Sequence, residues 1–326
     1  MLESFGTLAT ILFMFLLLTF MSVGAVVFYK KMSHKIDRWF TTIQPYLLLG
    51  FLLLFIISVT YSSYHYSGNF LPSPASEEGS MIVPLFNTTF IVTACAFFLT
   101  QVLLFFFAFF YRTKQGRKVR FLKGNFKLEL FWIIVPAGVF IFLFLWGQIL
   151  WSRIHEAPQE EVLEIDVMAQ QFSWKVRYPG ADKILGDSDF RFIDQVNTMG
   201  IDITAAESQD DFIPVQMHIP KGRPVRLLLR SKDVIHSFYI PHFRIKMDAL
   251  PGMPSRVHFT ANTTTAEMRE KLNDPDFNYE VACAELCGRM HFAMKLILVV
   301  DEPEQFEEWY HTQQSWVEKH EQYAIF

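Results

Sequence analysis

The pattern of apolar and polar positions divides the chain near residue 151. Before it, apolar residues run on in stretches of the length that a bilayer requires, about 20 residues. Four runs stand out, at about 8–28, 45–64, 90–111 and 130–151. Each reads as a membrane-spanning helix. The second is the shortest in purely apolar residues, with Pro45 at its expected start, and a buried or interfacial helix is its alternative. After residue 151 the period changes. Residues 162–168 and 171–178 alternate as half-buried strands do, and the second ends at Pro179-Gly180. Further strands are expected at 215–219, 225–230, 237–240, 256–260, 278–282 and 294–300. Short strands broken by Pro, Gly and Asn point to a sandwich or barrel. Residues 302–314 have the pattern of an amphipathic helix.

Charge orients this arrangement. The loop between the first two runs carries Lys30, Lys31, Lys35 and Arg38. The loop between the third and fourth carries Arg112, Lys114, Arg117, Lys118, Arg120, Lys123 and Lys127. The loop at about 67–87 has Glu77 and Glu78 but no Lys or Arg. Basic loops stay in the cytoplasm, so the N-terminus and everything after Trp151 are expected on the outer side. Trp132, Trp146 and Trp151 suit interfacial anchors. Between residues 181 and 211, Asp182, Asp187, Asp189, Asp194, Asp202, Glu207, Asp210 and Asp211 face only Lys183 and Arg191. This acidic stretch reads as a solvated loop, with docking of a basic donor protein as the alternative.

Composition supports the division. Of 326 residues, 51% are hydrophobic and 35 are Phe, too apolar for an ordinary soluble protein. The net charge of −4 argues against a nucleic-acid partner. Three cysteines allow no disulfide framework, and Cys95, inside an apolar run, reads as a small buried hydrophobe. The first residues lack the basic region of a signal peptide and a cysteine for a lipid anchor, so neither is expected.

The other two cysteines lie in Cys283-Ala-Glu285-Leu-Cys287-Gly-Arg-Met-His291-Phe-Ala-Met294. Two thiols, an imidazole and a thioether form a soft donor set that favours copper over magnesium, calcium or manganese. A thioether is a poor zinc ligand, so a structural zinc domain leaves Met294 unexplained. One imidazole is missing. His236 follows an apolar strand and is a candidate, but spacing alone does not choose it over His218, His242 and His258. Glu129, just before the fourth run, suits a helix N-terminus, where the macrodipole favours a carboxylate.

Three motifs now combine. Ser231-Lys-Asp-Val-Ile-His236-Ser, Lys246-Met-Asp248-Ala-Leu-Pro251-Gly252 and the Cys283–Met294 stretch, in this order, resemble the signature of subunit II of haem–copper cytochrome c oxidases. Asn125-x3-Glu129-x2-Trp132-x3-Pro136 resembles the start of that family's second membrane helix. The likeness covers roughly residues 85–315. It implies transmembrane α-helices followed by an extracytoplasmic all-β, cupredoxin-like Greek-key barrel with a dinuclear copper A centre. By the same resemblance, Cys283 and Cys287 bridge two coppers, and His236 and His291 each cap one. Met294 is the weak axial ligand on one copper, and the Glu285 carbonyl serves the other. The Glu285 carboxylate contributes to a magnesium or manganese site shared with subunit I, and Glu129 marks the entrance of a proton path.

The implied function is electron entry from cytochrome c, transfer to haem a in subunit I, and oxygen reduction there with proton pumping, in a bacterial inner membrane. A copper A subunit of a nitric-oxide reductase is the alternative. The expected plan is two extra helices in 1–66, a helical hairpin in 67–152, the copper domain in 153–301 with its acidic insertion 181–211, and a C-terminal helix and tail in 302–326. The extra helices are expected to meet a neighbouring subunit or respiratory complex. Phe172 stands where the family usually has Trp, so Phe172 and the nearby Trp174 are the candidates for electron entry. With no fused cytochrome domain after the barrel, the donor is expected to be separate.

Overall fold

The computed structural model describes residues 22, 35–112, 114, 116–118, 123–155 and 161–320. The expected span at about 8–28 lies outside the described residues, Ser22 apart. Three long helices follow: α1 (Lys35–His65), α2 (Glu77–Phe110) and α3 (Phe126–His155). Each contains a stretch long and apolar enough to cross a membrane. All three overrun the expected spans. Pro45 lies inside α1 and Pro84 inside α2, so neither proline marks a helix start. Membrane helices tolerate proline because neighbouring groups satisfy the freed carbonyl.

The described chain packs as two compact units. One contains α1 and the part of α2 from Ile91 onward. Rings interleave between the two helices: Tyr46 meets Phe109 edge-on at 5.2 Å, Phe51 meets Phe105 at 5.9 Å, and Phe55 meets Phe97 at 5.9 Å. Arg112 closes one end, its guanidinium 4.3 Å from the Phe109 ring centre and 5.1 Å from that of Tyr46. Cys95 lies exposed on the helix surface rather than buried. A membrane helix is apolar all round, so composition does not say which face is covered.

The other unit contains the first turns of α2, all of α3, and the barrel. Ser76 Oγ accepts from Gly79 N at 2.9 Å and donates to Phe243 O at 2.9 Å. Glu78 accepts from Thr260 N at 3.1 Å. These bonds explain why α2 begins at Glu77 rather than near residue 90: its first turn is held by barrel backbone, not by lipid.

The barrel has nine strands: β1 (Leu163–Gln170), β2 (Ser173–Arg177), β3 (Met217–Pro220), β4 (Pro224–Ser231), β5 (His236–Ile240), β6 (Ile245–Ala249), β7 (Ser255–Thr260), β8 (Tyr279–Cys283) and β9 (Lys295–Asp301). They form two sheets, β2-β1-β4-β7 and β3-β9-β8-β5-β6. The pairs β1/β4 and β3/β9 are parallel and the others antiparallel. Alternate residues fill the space between the sheets: Ile165, Val167 and Ala169 of β1, Val225, Leu227 and Leu229 of β4, Phe238 and Ile240 of β5, and Leu298 and Val300 of β9. All expected strands are present to within a few residues. Strand β6 and the short helix α4 (Thr265–Leu272) were not foreseen. Helix α4 starts at a reciprocal cap between Thr264 and Glu267. Helix α5 (Pro303–His311) lays Phe306, Trp309 and Tyr310 against the core, and α6 (Trp316–Lys319) follows.

The acidic stretch 181–211 keeps Asp182, Asp187, Asp194 and Glu207 exposed, as a solvated loop does, but part of it is buried. It folds over the outer face of β1, where Met168, Met199, Ile201, Trp316 and Val317 make a second, smaller core. Its far end is fixed by buried charge. Arg177 meets Asp166 at 3.2 Å and Asp211 at 3.1 Å, and Arg230 pairs with Asp166 as well. Sequence counting sees eight acids, but Asp211 is fully buried.

A buried pair broken on one side leaves an uncompensated charge, at a cost of roughly 3–5 kcal/mol. Arg177→Leu is therefore expected to destabilise the barrel by that order, read by denaturant unfolding followed by tryptophan fluorescence. Burial pushes the Asp211 carboxyl up to about 7, against the opposing pull of Arg177. In an unfolded chain the same group ionises at about 4. Between these values the folded chain holds the extra proton, so this group's contribution to stability falls as pH rises from about 4 to about 7. Asp211→Asn is expected to flatten that part of the stability–pH curve; an unaltered slope in thermal melts contradicts it.

Candidate metal centre

Two adjacent strands meet at one end of the five-stranded sheet. Strand β5 begins at His236 and β8 ends at Cys283, with Phe238 paired to Cys283 in the ladder between them. Side chains two apart on a strand share a face, so His236 and Phe238 lie on one side and Cys283 stands beside them. The chain then loops through 284–294 and returns, closed by Cys283 N donating to Met294 O at 3.2 Å and Ala284 N to Ser237 O at 2.9 Å. A short turn at His291–Ala293 brings the second imidazole back over the loop.

The donors converge. Cys283 Sγ lies 3.8 Å from Cys287 Sγ and 3.8 Å from His236 Nδ1. Cys287 Sγ lies 3.7 Å from His291 Nδ1 and 3.8 Å from Met294 Sδ. The Glu285 carbonyl is 3.2 Å from Cys283 Sγ. Two donors on one tetrahedral metal at about 2.0–2.3 Å stand about 3.3–3.8 Å apart. The spacing and the soft donor set fit copper held between both thiols. His236 and Met294 are fully buried, and Cys287 is only 4% exposed. Burial, helped by the neighbouring Cys283, pushes the Cys287 thiol up to about 11. A metal displaces such a proton on binding.

The other three candidate histidines lie elsewhere in the barrel. His218 Nδ1 is 2.7 Å from Asp301 Oδ2, and its ring stacks on Trp309 at 4.2 Å. His242 meets Phe277 and Tyr279 edge-on. His258 lies on β7, opposite Arg226 of β4. Tertiary structure thus selects His236, which sequence spacing could not.

Other expected positions separate. Phe172 is half-buried at the β1–β2 turn, just before β2 rather than within it. Its ring lies so close to Gly288 that a Cβ there would stand 3.1 Å from two ring carbons. Trp174 is 4% exposed and packs edge-on to His236 at 6.1 Å and Phe238 at 5.4 Å. Its indole N–H finds no hydrogen-bond partner among the described residues. The carboxylate of Glu285 is on an exposed residue. Glu129 is exposed in the first turn of α3, about 39 Å along the helix from His155 at 1.5 Å per residue. It is not brought to the metal loop.

Two residues at the centre escaped the sequence reading. Asp233 Oδ1 lies 2.8 Å from His236 Nε2, leaving Nδ1 to face the thiols. Burial of Asp233 opposes its charge, but bonds from Gln171 N, His236 and Val234 N outweigh this and lower its pKa. Gln171 donates from Nε2 to Cys287 O at 2.5 Å and from its backbone N to Asp233 Oδ2 at 2.7 Å. An acid three residues before His236 was a visible signal for Asp233; Gln171 is 112 residues upstream of Cys283 and left none.

Residues 163–301, all nine strands included, match the family model described as cytochrome c oxidase subunit II, periplasmic domain. The alternative cytochrome c oxidase subunit 2 of Bradyrhizobium diazoefficiens is 33% identical over 269 residues, 81% of this chain and 91% of that protein. The cytochrome c oxidase subunit 2 of Thermostichus vulcanus is 28% identical over 299 residues, covering 75% and 78%. Among solved structures, the periplasmic domain of cytochrome oxidase subunit II of Bradyrhizobium japonicum is 26% identical, covering 48% of this chain and 94% of that one with a TM-score of 0.33. With membrane helices ahead of an extracytoplasmic, cupredoxin-like domain, the chain belongs to the cytochrome c oxidase subunit II family.

Proposed function

We propose that this chain is the electron-entry subunit of a haem–copper cytochrome c oxidase in a bacterial inner membrane. One observation carries the reading: five side-chain donors, two thiols, two imidazoles and a thioether, are joined by four distances of 3.7–3.8 Å at the end of a rigid sheet. Cys283, Cys287, His236, His291, Met294 and the Glu285 carbonyl would hold two coppers. When bound, that dinuclear centre supplies a one-electron carrier whose charge is shared by both metals.

The protein's own residues do the rest. The β5–β8 ladder and the closed loop keep the donors in place in both redox states. Burial of His236, Cys283, Cys287 and Met294 keeps water from them. Phe172, half-buried with its ring against Gly288, offers the apolar contact through which cytochrome c delivers electrons. Trp174 lies behind it in the core and braces His236. Electrons leave to haem a in subunit I, where oxygen is reduced with proton pumping. The exposed Glu285 carboxylate completes a magnesium or manganese site with subunit I, and Glu129 opens a proton path at the far end of α3. Helix α1 and the run before it meet a neighbouring subunit or complex.

His236→Ala is expected to abolish the copper absorption and paramagnetic resonance spectrum. Met294→Leu should keep the copper and shift the spectrum and potential, as loss of a weak axial ligand does. Unchanged spectra in both would reject the ligand assignment. Phe172→Ala, with copper content retained, should slow electron entry from reduced cytochrome c about tenfold, the equivalent of about 1.4 kcal/mol of lost docking contact. Stopped-flow reduction checks this, with oxygen uptake by the purified complex as the test against nitric-oxide reduction.

A further inference from the structure

Of the six expected ligand groups, Cys283 ends β8, Glu285, Cys287, His291 and Met294 come from the loop between β8 and β9, and His236 begins β5. The ladder ties the two sides at Phe238 and Cys283. At Cys287, the tip of the loop, the ladder no longer reaches. There a third element intervenes. Gln171, at the β1–β2 turn of the opposite sheet, donates from its side chain to Cys287 O at 2.5 Å. From its backbone N it donates to Asp233 Oδ2 at 2.7 Å, and the other oxygen of Asp233 lies 2.8 Å from His236 Nε2. One residue therefore grips the cysteine side directly and the histidine side through one carboxylate.

The neighbouring geometry depends on the same turn. Gly288, next to Cys287, has a φ of +138°, and a Cβ there would lie 3.0 Å from Gln171 Nε2 and 3.1 Å from Phe172. Only a glycine lets the turn approach this closely. The loop beyond it is held locally by His291 N to Gly288 O at 3.1 Å and Ala293 N to Met290 O at 2.9 Å. Those bonds shape the loop but do not fix it to the His236 side.

We propose that Gln171 is a positioning residue that sets the spacing between the two halves of the metal centre. The inference rests on the copper reading above. It also ties the centre to Phe172, because the residue that clamps the loop and the residue that faces the donor are consecutive. Gln171 acts through Cys287 and Asp233 and touches no metal itself.

The test uses the full chain in detergent, with and without copper. Gln171→Met keeps length and loses the side-chain donor. Its copper affinity, measured by chelator competition, is expected to fall about ten- to hundredfold, the usual effect of removing an outer-shell partner. Its copper spectrum should change, and amide exchange at His291 and Ala293 in the metal-free chain should speed up. Gln171→Glu, which sets a carboxylate against a carbonyl, should be worse than Met. Gly288→Ala, which pushes the turn away from the other side, should move affinity and spectrum in the same direction. Wild-type affinity, spectrum and exchange in Gln171→Met would overturn the positioning role while leaving the copper reading intact. A wild-type chain that takes up no copper would overturn the copper reading instead.

Discussion

The pairing of β5 with β8 is the constraint on which the rest depends. It sets Phe238 opposite Cys283, and so stands His236 beside the first thiol. That pairing is held from below by the core, where Phe238, Ile240, Val281 and Leu298 are fully buried. Each such side chain contributes about 1.5–3 kcal/mol on burial. The energy that fixes the donors is therefore apolar, and it comes from residues with no chemistry of their own. The loop 284–294 can then be short and tightly turned, because both its ends start from a rigid ladder.

A second layer lies on the outside of the other sheet. The stretch 181–211 adds Met199 and Ile201 over Met168 and seats Asp211 against Arg177. The C-terminal Trp316 joins that layer, with its backbone N bonded to Asp211 O at 2.7 Å. This is an expensive arrangement electrostatically, since it buries two carboxylates, Asp166 and Asp211, on the Arg177 guanidinium, with Arg230 on Asp166 as well. It orders a segment that would otherwise be too acidic to collapse. The outer layer lies on the same β1 and β2 whose connecting turn carries Gln171 and Phe172. Order in the layer and order at the turn are thus built on one pair of strands.

The membrane part follows a looser logic. Rings between α1 and the later part of α2 interleave, with Arg112 at one end. The first turn of α2 is different, because Ser76 and Glu78 are bonded to barrel backbone. One helix is therefore divided between the two compact units, its first turns belonging to the one that also holds α3 and the barrel. Hydropathy detects its apolar run but not this beginning, since a hydrogen bond to a distant carbonyl has no signature in apolar periodicity.

Much of this protein was legible in its residues. Alternation located the strands, because a half-buried strand must place apolar side chains every second position. Long apolar runs located the described membrane helices, because a bilayer has a fixed thickness. The spacing of Cys283, Cys287, His291 and Met294 marked a loop of soft donors, because those donors are local in sequence and their chemistry is specific. What required the fold was every relation across sequence distance. The choice of His236 over His218 depended on strand pairing. The burial of Asp211 within an acidic stretch depended on Arg177 across the gap. The grip of Gln171 on Cys287 joins residues 116 apart. Local chemistry writes its pattern into neighbouring positions; the contacts that hold two loops at one metal spacing exist only after the two sheets have closed on each other.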